Sequence, residues 1–135
     1  MSAFAITIYH NPDCGTSRNT LAMIEAAGYA PTIIEYRKAG WTRAKLDALF
    51  GAMGAAPRDV MREKGTPAAD LGLLDPSIDD DTIIDAMIAH PILVNRPIVV
   101  TPKGAKLCRP SETVLDLLDR TPDVFTKEDG EIVRD

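Results

Sequence analysis

The sequence predicts an α/β fold interrupted by a strand-free helical insert. Three observations carry this. Apolar, β-rich runs stand near the N-terminus and again after residue 97; the residues between them, from 41 to 90, show helical spacing only; and the chain has the size and makeup of one soluble globular unit, with 135 residues, 45% apolar and 26% charged. The expected division is a core of residues 1–40 and 91–120, a helical insert of 41–90, and a charged C-terminal tail of 121–135, all within one globular unit.

The elements follow in order. Phe4 to Tyr9 reads as a buried strand, broken by the turn signal Asn11-Pro12. From Thr16 to Ala27, Leu21, Ile24 and Ala27 recur at helical spacing with Met23 beside them, and Gly28 is a natural stop. Thr32 to Arg37 reads as a second strand, completing a βαβ unit. Trp41 to Met53 reads as a helix capped by Thr42; 56–62 as a short helix with Pro57 near its start; and Asp79 to Ala89 as a third, its acidic first turn suiting the helix dipole. Ile98 to Thr101 and Ala105 to Cys108 flank a Gly-containing turn and read as a hairpin. Ser111 to Leu118 reads as an amphipathic helix with Val114, Leu115 and Leu118 inward, and Thr126 as a cap for one more helical turn.

Composition excludes several classes of function. Fifteen Lys and Arg against twenty Asp and Glu give a net charge of −5, and aromatic residues make up only 5%. A general nucleic-acid binder needs the opposite sign and stacking platforms. No apolar run has the length of a membrane span, and Met1 to Ile6 contains no Lys or Arg, so neither a membrane segment nor a secretory signal is expected. Two cysteines do not make a disulfide scaffold and point to a reduced, cytoplasmic setting. No Cys/His cluster has zinc spacing, and there is neither a P-loop nor a GxGxxG run.

Chemistry concentrates at Cys14. It falls where a strand gives way to a helix, so unpaired backbone N–H groups and the positive dipole end favour thiolate over thiol. Gly15-Thr16-Ser17 adds backbone donors and two hydroxyls, so a nucleophile and an anion site coincide. The competing reading is a buried, inert cysteine, and Asp13 opposes activation by its charge. His10 either stabilises the thiolate as imidazolium or merely closes the strand. Arg18 faces either the anion or solvent, and His90 ends a helix, where the dipole favours it. Arg96 and Arg109 stand at loop ends beside predicted strands, where planar guanidiniums suit oxyanions. Arg62, by itself, reads as a solvated helix charge. Spacing excludes a Cys-x5-Arg phosphatase loop, because position 20 is Thr20, and a Cys-x-x-Cys redox pair, because position 17 is Ser17. Cys108 reads as a packing residue on a strand.

His10-Asn11-Pro12-Asp13-Cys14-Gly15-Thr16-Ser17-Arg18-Asn19-Thr20, the run from His90 to Val100, and Leu107-Cys108-Arg109-Pro110-Ser111-Glu112 together resemble the glutaredoxin-linked arsenate reductases, in order and spacing over nearly the whole chain. The resemblance implies a thioredoxin-like mixed sheet with a helical insert. It implies Cys14 as nucleophile, His10 as the residue tuning it, and Arg62, Arg96 and Arg109 as the arginines that hold arsenate, with Gly15, Thr16 and Ser17 lining the anion site. Pro97 takes the place of the cis-proline beside a thioredoxin-like active site. No bound cofactor is implied; glutathione is a co-substrate and glutaredoxin the reductant of a monomeric enzyme.

Two rivals share the thiol fold. A regulatory binding protein of the Spx-like branch carries a Cys-x-x-Cys switch, which Ser17 denies here; a monothiol iron–sulfur carrier lacks the helical insert. A diverged relative acting on another oxyanion keeps every feature above.

Overall fold

The β-rich run near the N-terminus becomes strand β1, Thr7–His10, in a computed structural model that describes residues 4–134. Met1, Ser2 and Ala3, read above for a signal segment, and Asp135 of the expected tail lie outside the described residues. The chain divides into two compact units. One comprises the segments up to Glu35 and from Arg96 onward, the other Tyr36–Asn95.

In the first unit, β1 pairs in parallel with β2, Thr32–Glu35, with Ile8 opposite Ile33. On its other side β1 pairs antiparallel with β3, Ile98–Thr101, which pairs antiparallel with β4, Gly104–Leu107. The order β2-β1-β3-β4 makes β1 and β3 central, so Ile8, Ile98 and Val99 are buried. Helix α1, Gly15–Ala26, buries Met23 and Ile24 in a core shared with Ile6, Ile8, Val99 and Val114. Its inward face begins with Ser17 and Thr20, two polar residues that hide the helical period from an apolar count. Gly28 ends the turn at a φ of 95°, a conformation costly for any residue with a Cβ.

Two expectations in this unit are overturned. Ser111–Leu117 is a 3-10 helix, not an α-helix. The buried residues Ser111, Val114 and Leu117 repeat every three positions, which is the 3-10 period, and Leu115 is only partly buried. The C-terminal segment has no helical turn capped by Thr126. It forms β5, Val124–Thr126, and β6, Ile132–Arg134, an antiparallel hairpin. The β-branched residues favour strands, and Asp129-Gly130 is a turn signal, with Gly130 at a φ of 92° and its N–H donated to the Lys127 carbonyl at 2.9 Å.

The second unit holds α2, Tyr36–Ala39; α3, Arg43–Met53; α4, Pro57–Val60; and α5, Asp80–Ala89. Strand β2 therefore stops at Glu35, two residues short of the expected Arg37. Tyr36 turns inward instead, wholly buried, stacked on Trp41 at 5.3 Å with its hydroxyl donated to the Val94 carbonyl. Thr42 and Asp79 cap α3 and α5 by accepting the N–H groups of Lys45 and Thr82. Helix α5 buries Ile83, Ile84 and Met87 and packs on α3 and α4. Arg58 gathers the irregular stretch between α4 and α5 by donating to the carbonyls of Leu73, Asp75 and Ile78. The unit is not wholly without β pairing, since Met61 and Val94 form an isolated antiparallel bridge.

Candidate active site

Cys14 is the N-cap residue of α1, in extended backbone, with Gly15 opening the helix. The loop before it is organised by Asn11. The Asn11 carbonyl accepts the Cys14 N–H at 3.0 Å, and its side-chain oxygen accepts the Asp13 N–H at 2.9 Å. This Asx turn directs the sulfur toward the orphan N–H groups of the first helical turn. The Ser17 backbone N–H donates to the sulfur.

Two arginines reach the sulfur. Arg109 Nη1 lies 3.6 Å from Cys14 Sγ and 3.0 Å from the Arg96 carbonyl oxygen. The Arg96 side chain also donates to the sulfur. Each arginine directly precedes a cis peptide bond, Arg96–Pro97 and Arg109–Pro110. The Cys108 N–H donates to the Pro97 carbonyl at 2.9 Å and so ties the two loops together.

These contacts decide the charge on Cys14. Partial burial pushes its thiol up, but the Ser17 N–H and the Arg96 and Arg109 guanidiniums outweigh it and hold the thiol at about 7, against an ordinary 9.0. The thiolate is thereby favoured near neutral pH over that of an ordinary thiol. The sulfur is half-buried.

His10 is buried, at 6% exposure, with Nδ1 2.6 Å from Ser17 Oγ. Burial lowers the imidazole below its ordinary value; Glu35 opposes this and Arg18 adds to it. The ring touches Ser17, whose backbone N–H in turn meets the sulfur. The Ser17 hydroxyl also accepts the Asn11 N–H at 3.0 Å, so it faces the protein interior while its backbone N–H faces the sulfur. The Thr16 carbonyl accepts the Thr20 hydroxyl at 2.8 Å. Arg18 lies on the surface, its side chain 44% exposed, where it forms a two-pronged pair with Glu128 and donates to the Pro12 carbonyl.

Arg62 belongs to the helical unit. Its N–H donates to the Leu93 carbonyl at 2.7 Å, its Nε to the Lys64 carbonyl, and its Nη1 to the Asn95 side-chain oxygen at 3.3 Å. Asn95 and Glu128 were not singled out by the sequence, and Asn11 was read only as a turn residue. The Asx signal of Asn11 was readable locally; the other two depend on contacts over more than thirty residues. Cys108 packs in the core with no exposure, its thiol pushed up to about 12 by burial.

The ArsC family model matches residues 9–117. The chain belongs to the ArsC family. It is 59% identical over 136 aligned residues to an arsenate reductase of Synechocystis sp., covering 100% of this chain and 94% of that protein. It is 60% identical over 131 residues to the arsenate reductase of Rhizobium meliloti, covering 96% and 94%. The solved arsenate reductase from Vibrio cholerae superposes with a TM-score of 0.82 at 40% identity, covering 87% of this chain and all of that one. The four-stranded mixed sheet of this ArsC chain is thus the thioredoxin-like core that the resemblance implied, and the family is that of an enzyme. Among its described residues no helix is long and apolar enough to cross a membrane.

Proposed function

We propose that this chain is an arsenate reductase that works through a covalent Cys14–arsenic adduct, resolved by glutathione and glutaredoxin. The observation that carries the reading is a half-buried cysteine held at about 7 by two guanidiniums and a backbone N–H. An oxyanion and a thiolate repel; at about 4 Å two like unit charges cost roughly 4 kcal/mol at an effective dielectric near 20. Arg96 and Arg109 offset that repulsion and stabilise the charge that builds up during attack. Arg62 is the third cation that the family resemblance implies.

The Cys14 thiolate attacks arsenic(V), an As–S bond forms, and one protonated oxygen leaves as water. The glutathione thiol then displaces a second oxygen, again as water. A glutaredoxin thiolate attacks the glutathione sulfur, the As–S bond to glutathione breaks, and its electron pair reduces arsenic to the trivalent state. The oxidised product is the glutaredoxin–glutathione mixed disulfide. Water then takes arsenic from Cys14, releasing arsenite and the thiolate. Electrons come from outside because Ser17 occupies the second position of a dithiol motif and Cys108 is wholly buried. Such chemistry belongs in a reducing compartment, the cytoplasm, and one chain carries every residue invoked, so a monomer suffices.

The test is arsenite production with arsenate, glutathione and glutaredoxin, each omitted in turn. Loss of product in every omission supports the reading; turnover without glutathione or glutaredoxin overturns the electron route. Phosphate has nearly the shape and charge of arsenate, so comparable inhibition and substrate constants are expected, with selectivity lying in sulfur's attack on arsenic. A Cys14→Ser protein that still turns over ends the proposal.

A further inference from the structure

The C-terminal hairpin ends beside the nucleophile. Its turn residue Glu128 meets Arg18 through both carboxylate oxygens, Oε2 to Nε at 2.8 Å and Oε1 to Nη2 at 3.0 Å. Arg18 in turn donates through Nη1 to the Pro12 carbonyl at 2.8 Å, two residues before Cys14. The Glu128 N–H donates to the Asn19 side-chain oxygen at 3.0 Å, pinning the turn to the same helix a residue further on. A Cβ on Gly15 would lie 3.7 Å from both Arg18 Nη2 and Glu128 Oε1, so the pair stands directly over the residue that follows the nucleophile.

We propose that the hairpin is a strap on the nucleophile loop and that Glu128 is a positioning residue, acting through Arg18 on the Pro12–Cys14 turn. The inference rests on Cys14 being the reactive group. The two side chains are 44% and 48% exposed, so the pair adds little to global stability. Its two-pronged geometry does restrict direction, and what it restricts is the carbonyl that leads into the active cysteine. A clamp there keeps the Ser17 N–H, Arg96 and Arg109 aligned on the sulfur. Freed from Glu128, the Arg18 charge alone would favour the thiolate, so the strap and a mere counter-ion act with opposite sign on Cys14.

The experiment uses the full chain with Glu128→Gln, and separately Arg18→Lys, which keeps the charge but loses the fork. Iodoacetamide alkylation of Cys14 is followed by mass spectrometry from pH 5 to 9, beside urea unfolding and arsenate turnover. The strap predicts that Glu128→Gln alkylates about threefold more slowly at pH 7, the size an exposed pair transmits, with the midpoint of the pH profile moved upward. It also predicts a lower kcat at unchanged KM for arsenate, an unchanged urea midpoint, the same direction for Arg18→Lys, and a double variant no slower than either single one. Unchanged or faster alkylation in Glu128→Gln overturns the strap, the faster case identifying Glu128 as a counter-ion only. Alkylation needs no arsenate, so failure of the reductase reading would appear in turnover of the unaltered protein and leave this comparison intact.

Discussion

Two thiols in one small chain have opposite fates. Cys14, at the mouth of α1, is half-buried and held at about 7; Cys108, a residue past β4, has no exposure and is pushed up to about 12. Burial raises both. The difference lies in what surrounds the sulfur: three N–H donors at Cys14, and at Cys108 a packed core with Ile8, Met23 and Val114 and one carbonyl 3.6 Å away. The direction of the donors, more than access to water, sets the two thiols apart.

The sharpest way to break this contrast is Cys14→Ser, expected to remove essentially all arsenate turnover while circular dichroism stays native; the hydroxyl is not ionised near neutral pH and cannot replace the thiolate. Next, Arg109→Ala is expected to cut kcat about 100-fold, the usual cost of losing one donor to a developing charge, and to move the pH midpoint of Cys14 alkylation upward. An unshifted midpoint would detach Arg109 from the sulfur. Ser17→Ala leaves the Asn11 N–H without its acceptor in a buried site and the His10 ring without its hydroxyl, so a stability loss of about 1–3 kcal/mol is expected by urea unfolding. Cys108→Ala should cost about 1–2 kcal/mol of stability and leave kcat unchanged.

pH separates the two thiols by sign. The folded value for Cys14 is depressed, so its thiolate stabilises the native state fully above the ordinary 9.0, and that contribution fades as pH falls through about 7. Cys108 is shifted the other way, so burying its neutral thiol costs stability only as pH rises past the ordinary value. The gap in urea midpoint between the native chain and Cys14→Ser should therefore widen from pH 6 to pH 9, whereas the gap for Cys108→Ala should stay constant up to pH 8. A Cys14→Ser gap that does not change with pH would show that no ionisation at Cys14 is linked to folding.

Much of this was legible locally. The strand–turn–helix around Cys14, the Thr42 cap, the helix that follows Asp79 and the Gly28 stop depend on neighbours within a few residues, and local chemistry is what a linear reading captures. Where two periods compete, as in Ser111–Leu117, apolar spacing alone misread a 3-10 helix as an α-helix, because Leu115 and Leu118 also complete an α-helical stripe. At the C-terminus the charges on Lys127, Glu128 and Glu131 masked a hairpin that Asp129-Gly130 announced.

By itself the amino-acid order determined that Cys14 stands where a strand gives way to a helix and that no second thiol lies within its motif. Only the tertiary structure decided that Arg96 and Arg109 meet on the sulfur, that His10 stays neutral behind Ser17, and that Glu128 closes over Gly15. The reason is physical. Helix starts and turns are governed by backbone geometry over a few residues, whereas the charge on a sulfur depends on groups that only sheet pairing and core packing bring within hydrogen-bond reach.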